Sequence, residues 1–195
     1  MNCQRCELHT TCQNPCIMGE GNPNADLVLV GEAPGFNEDR LGKPFVGEAG
    51  KLLNFILNKL GVERSSIYLT NIIKCRPPKN ELPKGEELEK ISDACWPHLE
   101  QELQAIDPKV VVLLGGNPLL LLTGNRFISK HEGMEVETIY EGARTFACYH
   151  PAFVLRSPGK ECHVARVLAK ACKVAGVKIK PKGLEAGLFE YEVRS

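Results

Sequence analysis

No uninterrupted apolar stretch in the 195-residue chain approaches the ~20 residues that a membrane-spanning helix requires. The longest, around Val110 to Leu114 and Leu119 to Leu122, are broken by Gly115, Gly116 and Pro118, so no transmembrane helix and no membrane partner are expected. An apolar signal-peptide core and a small-residue cleavage site are also missing from Met1-Asn-Cys-Gln-Arg-Cys-Glu-Leu8, and a cytoplasmic location is the expectation. A surplus of one charge is lacking as well. Lys plus Arg total 24 against 24 for Asp plus Glu, so any contact with a polyanion must rely on local patches. Aromatics are scarce at 6%, but with 43% hydrophobic and 25% charged residues the balance is that of an ordinary globular protein, which excludes disorder and collagen-like repeats. The length suits one domain over 1–195, with a Cys-rich head at 1–25 and a tail from about 183 to 195.

Cysteine, by contrast, is abundant. Nine are present, and in a chain with no export signal the usual explanation is metal rather than disulfides. Cys3, Cys6, Cys12 and Cys16 crowd the head, Cys75 and Cys95 flank the middle, and Cys148, Cys162 and Cys172 read as small buried hydrophobes. His9, His98, His131 and His163 have no partner pattern and read as ordinary surface or satisfied residues. One basic stretch stands out: Arg156, Lys160, Arg166, Lys170, Lys173, Lys178, Lys180 and Lys182 against the single acid Glu161. Taken alone it is a solvated helix face; next to a nucleic-acid site it would grip phosphates.

Apolar patterning predicts strands at 25–32, 66–73 and 109–115, and weaker ones near 135–140 and 144–149. Helices are predicted at 49–60, stopped by Gly61, at 86–106, kinked or restarted at Pro97, at 118–122 and at 162–175; the Pro-rich stretch 76–84 is irregular. Alternating strands and helices imply an α/β fold, a three-layer α/β/α sandwich with a largely parallel central sheet. In such sheets ligands gather at the carboxyl ends of strands, where Gly31 to Gly35, Asn71 and His150 would lie.

Three constellations carry chemistry. Gly31-Glu-Ala-Pro-Gly35, continued by Pro44-Phe-Val-Gly47, sets a fixed backbone with acids to orient water and Phe45 to stack. In Thr70-Asn-Ile-Ile-Lys-Cys-Arg-Pro-Pro78 the Asn71 amide offers both a donor and an acceptor to a heterocycle edge. In His150-Pro-Ala152 the proline holds the histidine extended, and its imidazole can donate to developing negative charge.

In this order and at these distances, with Cys3-x2-Cys6-x-Leu8, the motifs resemble the family 4 uracil-DNA glycosylases, the iron-sulfur branch of that superfamily, over nearly the whole chain. The resemblance implies a uracil pocket formed by Gly31, Glu32 and Ala33, with Phe45 stacking on the base, Asn71 reading its polar edge and His150 facing the O2 side. It places Glu38 beside the C5 edge, where it would exclude the methyl of thymine, and ties Glu38 and Asn80 to the catalytic network. Better-known relatives outside this branch carry a water-activating Asp at the position of Ala33, so here that role is assigned to Glu32, Glu38 and Asn80. Cys3, Cys6, Cys75 and Cys95 are implied as ligands of a [4Fe-4S] cluster, four thiolates being its usual donor set. Nineteen residues separate Cys75 from Cys95, more than the family usually shows, and a zinc site built from Cys3, Cys6, Cys12 and Cys16 is a competitor.

The expected activity is excision of uracil from DNA by a monofunctional, monomeric enzyme with water as nucleophile, since no lysine occupies a pocket position for Schiff-base chemistry. A branch that bonds covalently to uracil-DNA carries an Arg-Arg-Ile-His-type insertion, absent between Asp39 and Phe45. A glycosylase of broader base specificity and a non-catalytic iron-sulfur DNA-binding module remain as alternatives.

Overall fold

Leu27 and Leu29 point to one face of a strand while Val28 and Val30 point to the other, and all four are completely buried. The same alternation holds for Val110, Val112 and Leu114 against Val111 and Leu113. A strand apolar on both faces must be covered on both, and that requirement dictates the layering. The computed structural model describes residues 3–157 and 159–181.

The strands are β1 (Glu20–Gly21), β2 (Leu27–Gly31), β3 (Tyr68–Asn71), β4 (Val110–Leu114), β5 (Glu135–Val136) and β6 (Arg144–Cys148). The helices are α1 (Phe36–Leu41), α2 (Glu48–Leu60), α3 (Glu86–Ile106), α4 (Gly116–Thr123), α5 (Ile128–His131), α6 (Pro151–Arg156) and α7 (Glu161–Ala175). The sheet order is β1-β3-β2-β4-β6-β5, with β3, β2, β4 and β6 parallel and the two-residue edges β1 and β5 antiparallel. Leu53, Leu57 and Leu60 of α2 and Val164, Leu168 and Cys172 of α7 fill one side of the sheet; Ile91, Leu99 and Leu103 of α3 and Leu119 of α4 fill the other. The fold is therefore the expected α/β/α sandwich, and no described helix is long and apolar enough to cross a membrane.

Four expectations need correction. Helix α3 does not restart at Pro97 but runs on through it, because the carbonyl four residues earlier belongs to solvent-exposed Asp93, where water can replace the missing N–H. Helices α1, α5 and α6 lie outside the helices expected from the patterning; each has six residues or fewer, too short to display a period. Cys148 and Cys172 are buried, but Cys162 is exposed in the first turn of α7. Finally, the basic stretch does not form one patch. Arg156 sits at the carboxyl end of the sheet, whereas α7 carries the chain away, so that Lys180 packs its backbone on Leu60 and Gly61 where α2 ends. Lys182 and the expected tail lie outside the described residues.

Candidate active site and metal-binding cluster

At the carboxyl end of the parallel strands Gly31 lies opposite Asn71, and the two chains stay paired beyond it through Ile72 N–H to Gly31 O and Ile73 N–H to Glu32 O, at 2.9 and 3.0 Å. A Cβ on Gly31 would stand 2.5 Å from both Asn71 Oδ1 and Phe45 Cζ. Glycine here is what allows a ring and an amide to meet. Phe45 holds a left-handed backbone, φ +55°, which costs about 1–3 kcal/mol for a non-glycine residue. Three features over-determine it: Arg64 donates to Phe45 O at 3.1 Å and to Pro44 O at 2.8 Å, and Gly50 leaves no room for a side chain against the Phe45 carbonyl.

The resulting cavity, about 540 Å³, is walled by Glu32, Ala33, Phe45, Asn71, Asn80 and His150, with Glu38 at its edge. That volume suits a small heterocyclic ligand. Seven positions singled out in the sequence thus converge, with Gly31 directly behind them. The Asn71 side chain is buried and has no hydrogen bond among the described residues, leaving its donor and acceptor to a ligand.

His150 is the N-cap of α6, and Pro151 occupies the first helical position. Its Nδ1 accepts the Ala152 N–H at 3.0 Å, so the ring proton must reside on Nε2. Burial, aided by the Arg156 charge, pushes the imidazole down to about 4. The ring is therefore neutral at physiological pH and retains one N–H donor, stacked on Phe45 with centroids 6.3 Å apart and planes 26° from parallel.

The acids differ in how far they are committed. Burial raises the Glu32 carboxyl above its ordinary range, against an Asn117 hydrogen bond and the Arg156 charge. Glu38 is bound to its own loop: Oε1 accepts Val46 N–H at 2.9 Å and Gly47 N–H at 2.6 Å, while Oε2 accepts Gly35 N–H at 3.2 Å. Asn80, in the left-handed region at φ +60°, accepts the Arg76 Nε–H at 2.6 Å through Oδ1.

Two supporting residues escaped the sequence reading. Arg64 has no motif around it, and its role rests on contacts 19 and 20 residues away. Glu132 lies under the histidine loop, where Oε2 accepts the Tyr149 N–H at 2.7 Å and Oε1 is buried without a hydrogen-bond partner among the described residues; burial pushes this carboxyl up to about 7.

The cysteines of the head meet those of the middle. Cys16 N–H donates to Cys75 Sγ at 3.3 Å, and Cys75 also interacts with Cys12, Cys95 and Cys6. Cys95 senses Cys6 and Cys3. Cys3, Cys16 and His98 place their ligand atoms within 4.8 Å of one another, with His98 Nε2 3.2 Å from Cys3 Sγ. This group can bind a metal ion. His98 is a buried histidine satisfied by a thiol, a partner that a lone histidine on a helix does not signal locally. Both ligand sets considered from the sequence fall within this neighbourhood, since all six cysteines share it. Lys74, fully buried beside it, pairs with Glu102, which also accepts from Thr70 Oγ1 at 2.7 Å, Tyr68 OH at 3.2 Å and Gly19 N–H at 2.6 Å.

The family model described as the uracil DNA glycosylase superfamily matches residues 18–172. The chain is 44% identical over 165 residues to a type-4 uracil-DNA glycosylase of Archaeoglobus fulgidus, covering 81% of this chain and 80% of the relative. Against that of Pyrobaculum aerophilum it is 40% identical over 164 residues, 80% of this chain and 81% of the other. The Thermotoga maritima relative is 35% identical over 183 residues, 93% of this chain and 91% of its own. A cavity built from dispersed motifs, a family model spanning most of the fold and relatives aligned over four fifths or more of their length agree: the chain belongs to the uracil-DNA glycosylase superfamily.

Proposed function

We propose that the chain is a monofunctional DNA-repair glycosylase that extrudes uracil from DNA and hydrolyses its N-glycosidic bond, leaving an abasic site and an intact strand. The observation that carries this reading is the neutral His150, its Nδ1 already occupied, in one cavity with the uncommitted Asn71 amide and the Phe45 ring. A base inside a duplex is out of reach, so it must be flipped, at a cost of a few kcal/mol in lost stacking and pairing. Phe45 then stacks on the extruded ring and Asn71 pairs with its polar edge, which presents an acceptor beside an N–H. As the bond to the sugar stretches, negative charge moves onto the pyrimidine. The Nε2–H of His150 stabilises that charge in a site that the bound strand shields from bulk solvent, where such a donor is worth more than in solution. A neutral imidazole suits this task because it gives a hydrogen bond without having to surrender a proton.

Glu32 is the acid best placed to orient the attacking water, being raised by burial and lining the cavity. Glu38 acts through the loop: by holding Gly35, Val46 and Gly47 it fixes the wall near the C5 edge of the base. Asn80 steadies the rim beside α1 by accepting from Arg76, which packs on Phe36 and Asp39.

For the metal we propose a [4Fe-4S] cluster on Cys3, Cys6, Cys75 and Cys95, a set drawn from three segments that the fold brings together. When bound, the cluster would cross-link the head, the Cys75 turn and α3, and the hydrolysis needs no redox step. Zinc is the second reading, favoured by the close approach of Cys3, Cys16 and His98. The protein is read as a cytoplasmic monomer. A uracil-excision assay on the purified protein, with iron and zinc content measured on the same sample, tests both proposals.

A further inference from the structure

Phe36 opens α1 on the rim of the cavity and leaves 56% of its surface in water. Phe153, also on the rim, is 37% exposed and leans on Tyr149 with centroids 5.0 Å apart. The ring contact of Phe36 among the described residues is with a cation instead: the Arg76 guanidinium lies over it, 5.1 Å from the centroid.

Arg76 is not a loose surface side chain. Its Nε–H is held by Asn80 Oδ1 at 2.6 Å, and Nη1 lies 3.9 Å from Asp39 Oδ2. Asp39 is buried in α1 and accepts the backbone N–H groups of Gln13 and Asn14 from the Cys-rich head, at 3.0 and 2.8 Å. Arg76 also directly follows Cys75 in the chain. The guanidinium is thus locked between α1, the head and the Cys75 turn, and it backs one face of an aromatic ring whose remaining surface is open. A flat, rigid, partly charge-neutralised surface of this kind is what a nucleobase stacks upon.

We propose that Phe36, backed by Arg76, is a stacking platform for the nucleobase adjacent to the extruded uracil. The inference rests on the proposed DNA substrate, and its location follows from continuity: Phe36 and Asn80 line the same cavity as Asn71 and His150. A strand whose extruded base fills that cavity brings its neighbouring nucleotides past this rim. Stacking is indifferent to base identity, so the platform contributes affinity and helps hold the strand open without reading sequence. It also links the head to DNA binding, because Asp39 and Arg76 transmit the position of the head to the ring.

The test pairs protein variants with altered DNA. On ordinary uracil-containing oligomers Phe36→Ala raises KM by about 5- to 20-fold, with a smaller change in kcat, and Phe36→Trp recovers most of the loss. Arg76→Lys, which keeps the charge but not the planar backing, gives an intermediate rise. On oligomers with an abasic analogue on the 5′ or the 3′ side of the uracil, one of the two positions weakens the parent and removes the difference between parent and Phe36→Ala. The inference is overturned if the parent excises uracil while Phe36→Ala matches it on ordinary oligomers. It is equally overturned if the Phe36→Ala defect persists undiminished with abasic neighbours on both sides. A parent that releases no uracil would instead refute the proposed function, a distinguishable outcome.

Discussion

Gly31 and Asn71 face each other across the parallel pairing of β2 and β3, and a single added carbon on Gly31 would stand 2.5 Å from the Asn71 amide oxygen. The same carbon would meet Phe45 at 2.5 Å, so Gly31→Ala forces apart the two groups proposed to read and stack the base. Overpacking of this kind costs about 1–3 kcal/mol of stability, while the displaced pocket loses far more activity. Gly31→Ala is expected to remain folded by circular dichroism and to lose about 100-fold or more in kcat/KM for uracil release.

Glu38 accepts three backbone N–H groups. Glu38→Ala leaves them without a partner in a buried loop, and each unmet donor carries a penalty of about 1–3 kcal/mol before relaxation and water entry reduce it. A net loss of about 2–4 kcal/mol is expected in urea denaturation. A stability change near zero would mean that the carboxylate is not the keystone of that loop.

The pH dependence separates two half-buried groups of opposite sign. His150, held near 4 instead of the ordinary 6.5, stays neutral in the folded protein while the unfolded chain takes up a proton, so its contribution to stability is lost as pH falls through that window. Glu132, held near 7 instead of 4.5, keeps its proton in the folded protein, and its contribution is lost as pH rises from 4.5 to 7. Each is worth up to about 3 kcal/mol, and the two oppose one another between pH 4.5 and 6.5. Glu132→Gln should uncover the histidine, giving urea midpoints that rise with pH relative to the parent. His150→Ala should make them fall. The reverse ordering would contradict the assigned protonation states.

Metal ligation is checked by substitution and colour. Cys75→Ser and Cys95→Ser are expected to lose iron and the broad absorption shoulder near roughly 400 nm, whereas Cys12→Ser and Cys172→Ser keep both. Colourless protein containing zinc, with Cys16→Ser abolishing it, would favour the Cys3, Cys16 and His98 group.

Much of this architecture is legible in the sequence because burial on both faces leaves unmistakable runs: Leu27–Gly31 and Val110–Leu114 are nearly all aliphatic, and each ends where the cavity begins. The site motifs are readable for a related reason. Glycine and proline mark the places where backbone geometry is demanding, as at Gly31 and Pro151. What stays hidden acts over long sequence separations. Arg64 bolts down a strained Phe45 and Glu132 supports the Tyr149 N–H, yet neither has a neighbour that hints at it. His98 meets Cys3 from 95 residues away. The basic stretch misleads for the opposite reason: a charge run ignores the direction of α7, which carries Lys173 and Lys180 away from the cavity and leaves Arg156 on its wall.

The central claim is that a preformed cavity stabilises the departing uracil anion through the neutral His150. Its most direct measurement is single-turnover release of uracil from a labelled oligomer, read as alkali-labile abasic sites, for the parent and for His150→Ala. The expected result is efficient release by the metal-loaded parent and a fall of about 100- to 1,000-fold in the variant, the size seen when one preorganised donor to an anion is removed. Intact oligomer after prolonged incubation with the parent, or equal rates for parent and variant, would contradict the account.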